Sequence, residues 1–362
     1  HDMDFYTMTT TCTQIDLEKL FKNGFNTGHG FLRQPKSIMS YAALAAIAVQ
    51  ANQNDQHGGQ AIPAFDFMMA PGIIHTYRKK LVDNLTLYLM ELNSLSYEDA
   101  VIKAKSLIKI YEKSYGPVKL QQEDAIMKTL LDEIPNANHL SIQNILVKSY
   151  NETNRECYQA MESFIHNLNT MHSRAGAQVP FSSINYGTDT SPEGRMIIEN
   201  VLLAQEAGLG DGETPIFPIH IFKVKEGINY NPEDKNYDLF KLACRVSAKR
   251  LFPNFSFLDA PFNLQYYVEG RPETEVGYMG CRTRVMGNIH GEETTFSRGN
   301  LSFTSINLPR LGIEAGSNTE AFFKDFDLLN IDKPEIICKA TEHIKEMEQY
   351  VLDVFSKKSI KI

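Results

Sequence analysis

The sequence has few cysteines and none of the spacings that bind zinc or build a disulfide framework. Its five cysteines are Cys12, Cys157, Cys244, Cys281 and Cys338. They are odd in number and far apart, with no C-x-x-C pair. We therefore predict no metal site and no disulfide bonds, and we expect a reducing, cytoplasmic compartment.

Long apolar runs and an excess of basic residues are also missing. No run reaches the roughly 18 to 20 residues that a membrane helix needs, and the longest candidate, residues 37–50, fits a buried helix better. The first residues do not resemble a secretory signal, because no basic segment precedes an apolar one. A net charge of −8 argues against a general binder of nucleic acids or membrane surfaces.

The 362 residues are otherwise typical of a globular protein, 43% hydrophobic and 22% charged. From about residue 73 to 169, apolar residues recur three and four positions apart, which predicts helices. Residues 61–72 are predicted as a buried strand or loop. Beyond residue 173, short β-branched and aromatic runs alternate with helical segments. This alternation predicts a mostly parallel sheet, either open or closed into a barrel.

Cys281 is the first candidate for chemistry, because it lies between Gly280 and Arg282 at a boundary between strand-like runs. A glycine beside it permits a tight loop from which the sulfur projects, although a small buried cysteine is the simpler interpretation. A nucleophilic thiol needs a base, and a radical role needs shielding instead. Cys12, in a threonine-rich segment, is equally well explained as a core residue.

Residues 172–195 are rich in small polar side chains around a predicted strand and helix start. A helix N-terminus offers backbone amides to anions, so this segment is either an anion site or an ordinary loop. Walker A and Rossmann spacings are absent from the sequence.

Several motifs in one order resemble the anaerobic (class III) ribonucleoside-triphosphate reductases, which are glycyl-radical enzymes. They are HDMDFY, TCTQIDLEKLF, QPKSI, NTMHSRAGAQVPFSSINYGTDTSPEGR, FPIHIFKVKEGIN, GYMGCRTRV and RGNLSFTSINLPRLGIEA. The resemblance implies a ten-stranded α/β barrel of two five-stranded parallel halves, with a finger loop at its centre. It also implies that Cys281, at the fingertip, becomes a transient thiyl radical that abstracts the ribose 3′-hydrogen, so no flanking base is needed.

The resemblance assigns further residues to the site. Cys12 matches the second cysteine of the formate-dependent branch, so formate is the expected reductant. Asn300 is expected to hydrogen-bond the ribose hydroxyls, and His1 to take part in proton transfer or formate binding. Substrate binding is also expected at three further residues, Ser182, Gly58 and Gly59.

Regulation and partners follow from the same resemblance. A deoxynucleoside triphosphate or ATP effector is expected near the helix after QPKS, with Lys36 contacting phosphate, in a homodimer. Mg²⁺ would accompany the nucleotides. The radical would come from a glycine on a segment that an iron–sulfur radical-SAM activating enzyme modifies.

The sequence departs from the family pattern in three respects. It contains no R-x-C-G-Y-type glycyl-radical motif, no four-cysteine zinc site and no recognisable ATP-cone. We therefore expect residues 1–362 to be a barrel-core fragment that is inactive alone. Two alternatives stay open, a non-catalytic dNTP-binding and dimerisation module, and another glycyl-radical enzyme such as a formate lyase or a dehydratase.

Overall fold

A computed structural model describes residues 12–56, 58–172, 176–280, 283–285, 291, 293–300 and 307–329, with residues 300 and 325–329 described by their backbone alone. The chain divides into two compact units, Thr10–Asn300 and the pair of segments His1–Thr9 and Leu301–Ile362. In the second unit, α10 (Leu308–Ala315) packs against α11 (Thr319–Leu329).

The larger unit contains nine α-helices and ten strands among its described residues. The helices are α1 (Leu17–Asn23), α2 (Ile38–Asp55), α3 (Phe65–Asn93), α4 (Tyr97–Tyr115), α5 (Glu123–Glu133), α6 (His139–Thr170), α7 (Pro192–Ala207), α8 (Tyr237–Arg250) and α9 (Pro261–Leu264). The strands are β1 (Cys12–Gln14), β2 (Phe25–Asn26), β3 (Phe31–Leu32), β4 (Gln60–Ile62), β5 (Ser182–Tyr186), β6 (Ile219–Val224), β7 (Asn254–Phe257), β8 (Gly277–Met279), β9 (Thr283–Val285) and β10 (Gly299–Asn300).

Six strands form the main sheet, in the order β10-β1-β4-β5-β6-β7. Five strands of this sheet are parallel to their neighbours: β1, β4, β5, β6 and β7. The sixth, β10, pairs antiparallel with β1. The predicted parallel α/β architecture is thus confirmed. The predicted ten-stranded barrel is not, because the main sheet of the described residues is open and its parallel part has five strands, and the remaining strands form two separate pairs, β2–β3 and β8–β9.

One face of this sheet is covered by helices. Side chains alternate between the two faces of a strand, and five apolar residues of alternate positions pack into the helical core: Ile62, Ile184, Tyr186, Phe222 and Val224. The other face carries Cys12, Gln14, Ala61, Ser183, Asn185 and Lys223. This second face, which we call the finger face, receives the hairpin described below.

Polar caps begin the helices that surround the sheet. Ser37 and Ser40 form a reciprocal capping box at α2. Ser96 caps α4 and Ser191 caps α7, in front of Pro192. Within the described residues, no helix combines the length and the apolar character that crossing a membrane requires.

Candidate active site

A short hairpin carries the MGCR segment to the finger face. Strands β8 and β9 pair antiparallel, with Gly277 opposite Val285 and Met279 opposite Thr283. We call residues 277–285 the finger hairpin. Gly280 lies at the start of its tip with φ +65°, a backbone conformation that favours glycine. Cys281, the next residue, lies outside the described residues.

The finger hairpin is held by polar side chains of β5. The side-chain amide of Asn185 accepts from Tyr278 N at 2.9 Å and donates to Tyr278 O at 3.0 Å. Ser183 Oγ accepts from Gly280 N at 3.1 Å. Because Asn185 both donates and accepts, it satisfies the backbone as a neighbouring strand would. These bonds hold the hairpin against β5.

Cys12 lies beside the hairpin in an apolar environment. Met279 and Val285 of the hairpin pack with Ala61 of β4, and the partly buried Cys12 contacts this cluster. In β10, the Cα atom of Asn300 is paired with that of Cys12. The structure thus brings two of the predicted residues, Cys12 and the backbone of Asn300, to the sheet next to the hairpin.

Gly59 adjoins the hairpin tip without space for a side chain. A Cβ atom placed on Gly59 would lie 3.3 Å from Gly280 Cα and 3.0 Å from Phe181 Cδ1. A Cβ atom on Gly280 would lie 2.8 Å from Phe181 Cε1. The predicted Gly58–Gly59 turn therefore reaches the fingertip, and small residues permit that approach.

Ser182 has a different position from the other predicted residues. It is paired with Gln60 and shares the helix-covered face with Ile184 and Tyr186. Its Oγ is buried and has no hydrogen-bond partner among the described atoms. Ser183 and Asn185, which the sequence analysis missed, are the residues of SSINY on the finger face. The period-two alternation of that segment was the signal that could have identified them. His1 lies outside the described residues.

The loop after β5 presents backbone amides to an anion, but the anion is a side chain of the protein. Asp66 Oδ2 accepts from the amides of Gly187, Thr188 and Asp189 at 2.8, 3.1 and 3.1 Å. Burial, and next the charge of Asp189, raises the pKa of Asp66 to about 7. The amides predicted for an external ligand are therefore already bonded.

A buried ion pair lies at the base of the finger hairpin. Lys223 Nζ is 2.9 Å from Glu275 Oε2, with side-chain exposures of 1% and 5%. Lys223 Nζ also donates to Pro63 O at 2.8 Å, and Thr188 Oγ1 donates to Glu275 Oε2 at 2.9 Å. Lys223 of β6 and Thr188, which follows β5, therefore both bond to Glu275, two residues before β8 begins, and Pro63, which follows β4, bonds to Lys223.

Lys36 lies in a separate, positively charged pocket of about 500 Å³. Its other lining residues are Gln34, Pro35, His75, Arg78, Lys79, Val82, Asp83 and Lys105. Arg78 is held by a bidentate pair with Glu112 at 2.6 and 2.9 Å. Burial, and next the charge of Arg78, lowers the pKa of His75. With Arg78 paired to Glu112, three lysines against the one lining carboxylate of Asp83 make this pocket suitable for an anion.

Metal ligands are not clustered in the described part of the chain. No group of three or more histidine, cysteine, aspartate or glutamate side chains there is arranged to hold a metal ion. Three described cysteines, Cys12, Cys157 and Cys244, are free thiols.

Comparison with known proteins identifies relatives over most of the chain. The enzyme "Anaerobic ribonucleoside-triphosphate reductase" of Salmonella typhimurium is 28% identical over 334 residues, covering 90% of this chain and 38% of the relative. That of Enterobacteria phage T4 is 28% identical over 326 residues, covering 88% and 44%. The chain thus spans about two fifths of the length of these relatives.

Solved structures and a family model complete the comparison. The anaerobic ribonucleotide reductase from Thermotoga maritima, in complex with dATP and CTP, is 14% identical with a TM-score of 0.46, covering 90% of this chain and 44% of that one. The model of the family "Anaerobic ribonucleoside-triphosphate reductase" matches residues 1–357. The chain therefore belongs to the anaerobic ribonucleoside-triphosphate reductase family.

Proposed function

We propose that this chain binds a ribonucleoside triphosphate and carries the thiol that begins its reduction to the deoxyribonucleoside triphosphate. The observation that carries the proposal is the seating of the finger hairpin on the parallel sheet, beside Cys12 and Gly59. Family membership disfavours formate lyase or dehydratase chemistry. The five parallel strands would be one half of the ten-stranded barrel.

Cys281 is the proposed hydrogen-atom acceptor. As a thiyl radical its sulfur would take the 3′-hydrogen of the ribose, so that an S–H bond forms while the C3′–H bond breaks. Met279, just before the tip, and Val285 and Ala61 are buried and apolar, whereas Thr283 and Arg284, just after the tip, are exposed. An apolar environment excludes water and would protect a reactive sulfur. The thiyl radical would form when a glycyl radical on another protein segment takes the hydrogen atom of the Cys281 thiol.

Cys12, Asn300 and His1 are proposed to complete the reduction. Formate is the proposed reductant: its hydrogen and two electrons would pass to C2′, where a C–H bond forms and CO2 is released, while the ribose 2′-hydroxyl leaves as water with one added proton. Cys12, which lies beside the hairpin, would exchange a hydrogen atom with the substrate. Asn300 would hydrogen-bond the ribose hydroxyls, and His1 would bind formate or move the proton. Substrate phosphate and ribose would contact the Gly58–Gly59 turn, whereas the side chain of Ser182 faces the helices on the opposite side of the sheet.

The Lys36 pocket is the proposed effector site. A dNTP or ATP effector, with Mg²⁺ on its phosphates, carries the negative charge that Lys36, Lys79 and Lys105 of this pocket would attract. The proposal includes a homodimer, an iron–sulfur radical-SAM activating enzyme as partner, and a cytoplasmic location that keeps Cys12 and Cys281 reduced.

Anaerobic reconstitution tests the proposal. The chain would be mixed with CTP, formate, a glycyl-radical domain supplied in trans and its activating enzyme, and dCTP would be measured. We expect Cys281→Ser to abolish dCTP formation, because serine cannot form the sulfur radical. Cys244→Ser is the matched control, since Cys244 is exposed on α8, and it should leave the rate unchanged.

A second candidate function, a non-catalytic nucleotide-binding module, is favoured by the Lys36 pocket alone. It predicts dATP and CTP binding without dCTP formation under any of these conditions. Product formation that survives Cys281→Ser would contradict the radical proposal directly.

A further inference from the structure

The base of the finger hairpin is fixed by charged side chains, whereas its middle is fixed through backbone groups. Asn185 and Ser183 bond to the N–H and C=O groups of residues 278 and 280. Every residue of a strand offers the same groups, so these bonds would also form if the hairpin slipped by two positions. Asn185 and Ser183 alone do not define the register.

Glu275 is a side chain that only one register can satisfy. Its Oε2 accepts from Lys223 Nζ and from Thr188 Oγ1, both at 2.9 Å, in a site that is nearly inaccessible to solvent. Lys223 Nζ is held in turn by Pro63 O at 2.8 Å. A slip that brought Gly277 to Lys223 would bury Glu275 and Lys223 as separate charges, which is strongly unfavourable. A slip that brought Glu273 to Lys223 would require the 3₁₀ turn Pro272–Thr274 to unwind.

Stability alone does not account for this pair. Removing two charges from water costs free energy, and replacing a buried pair by apolar side chains is often neutral or stabilising. The pair provides a unique orientation instead, as single buried polar residues do when they set register in coiled coils.

The orientation of the finger hairpin at its base, near Glu275, determines where its tip, near Gly280, lies. The five steps along the chain from Glu275 to Gly280 span about 16 Å at roughly 3.3 Å per residue. A rotation of about 5° at the base would move the tip by about 1.4 Å, and a misplacement of about 1 Å near reacting atoms costs on the order of 100-fold in rate.

We propose that the buried Lys223–Glu275 pair positions the finger hairpin, setting its register on the sheet and hence the place of Cys281. We call Lys223 and Glu275 the anchor pair. They are positioning residues that act through the hairpin and contact no substrate. The catalytic consequence rests on the proposed function, but the geometric claim does not.

The test replaces the anchor pair by apolar side chains of similar volume, Lys223→Met with Glu275→Leu. The control is Lys80→Met with Glu156→Leu, because this pair joins α3 and α6 at 2.9 Å with exposures of 24% and 22%. Two readouts need no nucleotide: the alkylation rate of Cys281 by iodoacetamide, mapped by peptide mass spectrometry, and hydrogen exchange of residues 276–280.

We expect the anchor-pair variant to keep its urea midpoint while Cys281 alkylation changes about tenfold and exchange at Tyr278 and Gly280 accelerates about tenfold, since local opening sets exchange. The control variant should match the wild type in both readouts. A folded anchor-pair variant with wild-type alkylation and exchange overturns the proposal.

If the variant with Lys223→Met and Glu275→Leu does not fold, Thr188→Val tests whether the anchor pair positions the finger hairpin. It removes one donor to Glu275 Oε2 and leaves the ion pair intact. We expect a change of about two- to fivefold in the same two readouts, and no change would overturn the proposal. Because neither readout uses substrate, failure here is distinct from failure of ribonucleotide reduction.

Discussion

Ser182 and Ser183 are neighbours in β5, but their hydroxyl groups lie on opposite faces of the sheet. Ser183 Oγ accepts from the buried amide of Gly280 at 3.1 Å and lies 3.3 Å from Gln60 O, to which it can donate. Ser182 Oγ is buried and has no described partner. Ser183 therefore contributes a hydrogen bond to the stability of the fold, whereas Ser182, which is similarly buried, contributes none among the described residues.

Substitution by alanine should separate the two serines. Ser183→Ala leaves the amide of Gly280 buried without an acceptor, so we expect a loss of about 1 to 3 kcal/mol in the free energy of unfolding. Ser182→Ala removes an unpaired polar group, so the change should be within about 0.5 kcal/mol or stabilising. Urea unfolding measures both. Equal losses in the two variants would contradict this assignment of faces.

Asp66 should make the stability of the protein depend on pH. Its folded pKa of about 7 lies above the ordinary value of 3.8, so the folded state binds a proton more tightly than the unfolded state. The stabilisation from this proton is complete below pH 3.8 and is lost as the pH rises through 7. The contribution of Asp66 to stability should therefore fall between pH 5 and pH 8, whereas that of His220, whose burial lowers its pKa to about 3, should rise over the same range.

Asp66→Asn tests the contribution of this carboxyl group. Asparagine keeps an acceptor oxygen for the three amides but does not titrate. The free energy of unfolding of the variant, relative to that of the wild type, should rise by roughly 2 to 3 kcal/mol from pH 5 to pH 8. Asp189 and Glu275 also face this site and stay in both proteins. A pH-independent difference would refute the assigned pKa.

At the level of elements, the sequence predicts which segments are helical better than where each helix begins. The predicted strand or loop at residues 61–72 is wrong from Phe65 onward, where α3 begins and continues through Pro71. The proline and glycine of that segment resemble a turn in sequence. Their role depends on a contact between two helices, which local periodicity does not contain: Gly72 packs against Tyr41 of α2.

Gly72→Ala should destabilise the protein although alanine favours helices. The added Cβ would lie 3.0 Å from the ring of Tyr41 and 3.2 Å from Ile38 Cα. Overpacking costs about 1 to 3 kcal/mol, whereas the gain in helix propensity is about 1 kcal/mol. We expect a lower urea midpoint, and partial recovery on adding Tyr41→Leu. Gly312→Ala in α10 is the control, since its Cβ would meet nothing within 4 Å, and it should not lower the midpoint.

At the level of the whole molecule, the parallel sheet follows from the sequence but the assembly of the site does not. Alternating strands and helices predict parallel strands with covering helices. The contacts that seat the finger hairpin join residues far apart in the chain, such as Asn185 and Tyr278, which are 93 positions apart. No local pattern encodes such pairs. The motifs identify Cys12 and Gly59 as important, whereas the sheet order explains why they are neighbours of the hairpin.

Helix α2 connects the Lys36 pocket with the finger face. It begins at Ile38, directly after the pocket residues, and its 18 residues extend about 27 Å at 1.5 Å per residue. Near its end, Asn52 Nδ2 donates to Thr13 Oγ1 and Gln60 Oε1, both at 2.8 Å. These two acceptors are adjacent in sequence to Cys12 and Gly59. A shift of α2 would therefore move both segments.

Asn52→Ala should uncouple the two sites without emptying the effector pocket. With dATP as the probe of the proposed effector site, we expect dATP to change the Cys12 alkylation rate in the wild type. Asn52→Ala should bind dATP with wild-type affinity by calorimetry but should lose this change. Lys36→Ala should do the opposite. It should weaken dATP binding about tenfold, since a hydrogen bond to a charged group contributes about 1.5 to 3 kcal/mol. It should keep the alkylation response at saturating dATP.

Coupling between two sites is reciprocal. Alkylation of Cys12 should therefore also alter dATP affinity in the wild type and not in Asn52→Ala. A full response in Asn52→Ala would show that α2 is not the connection.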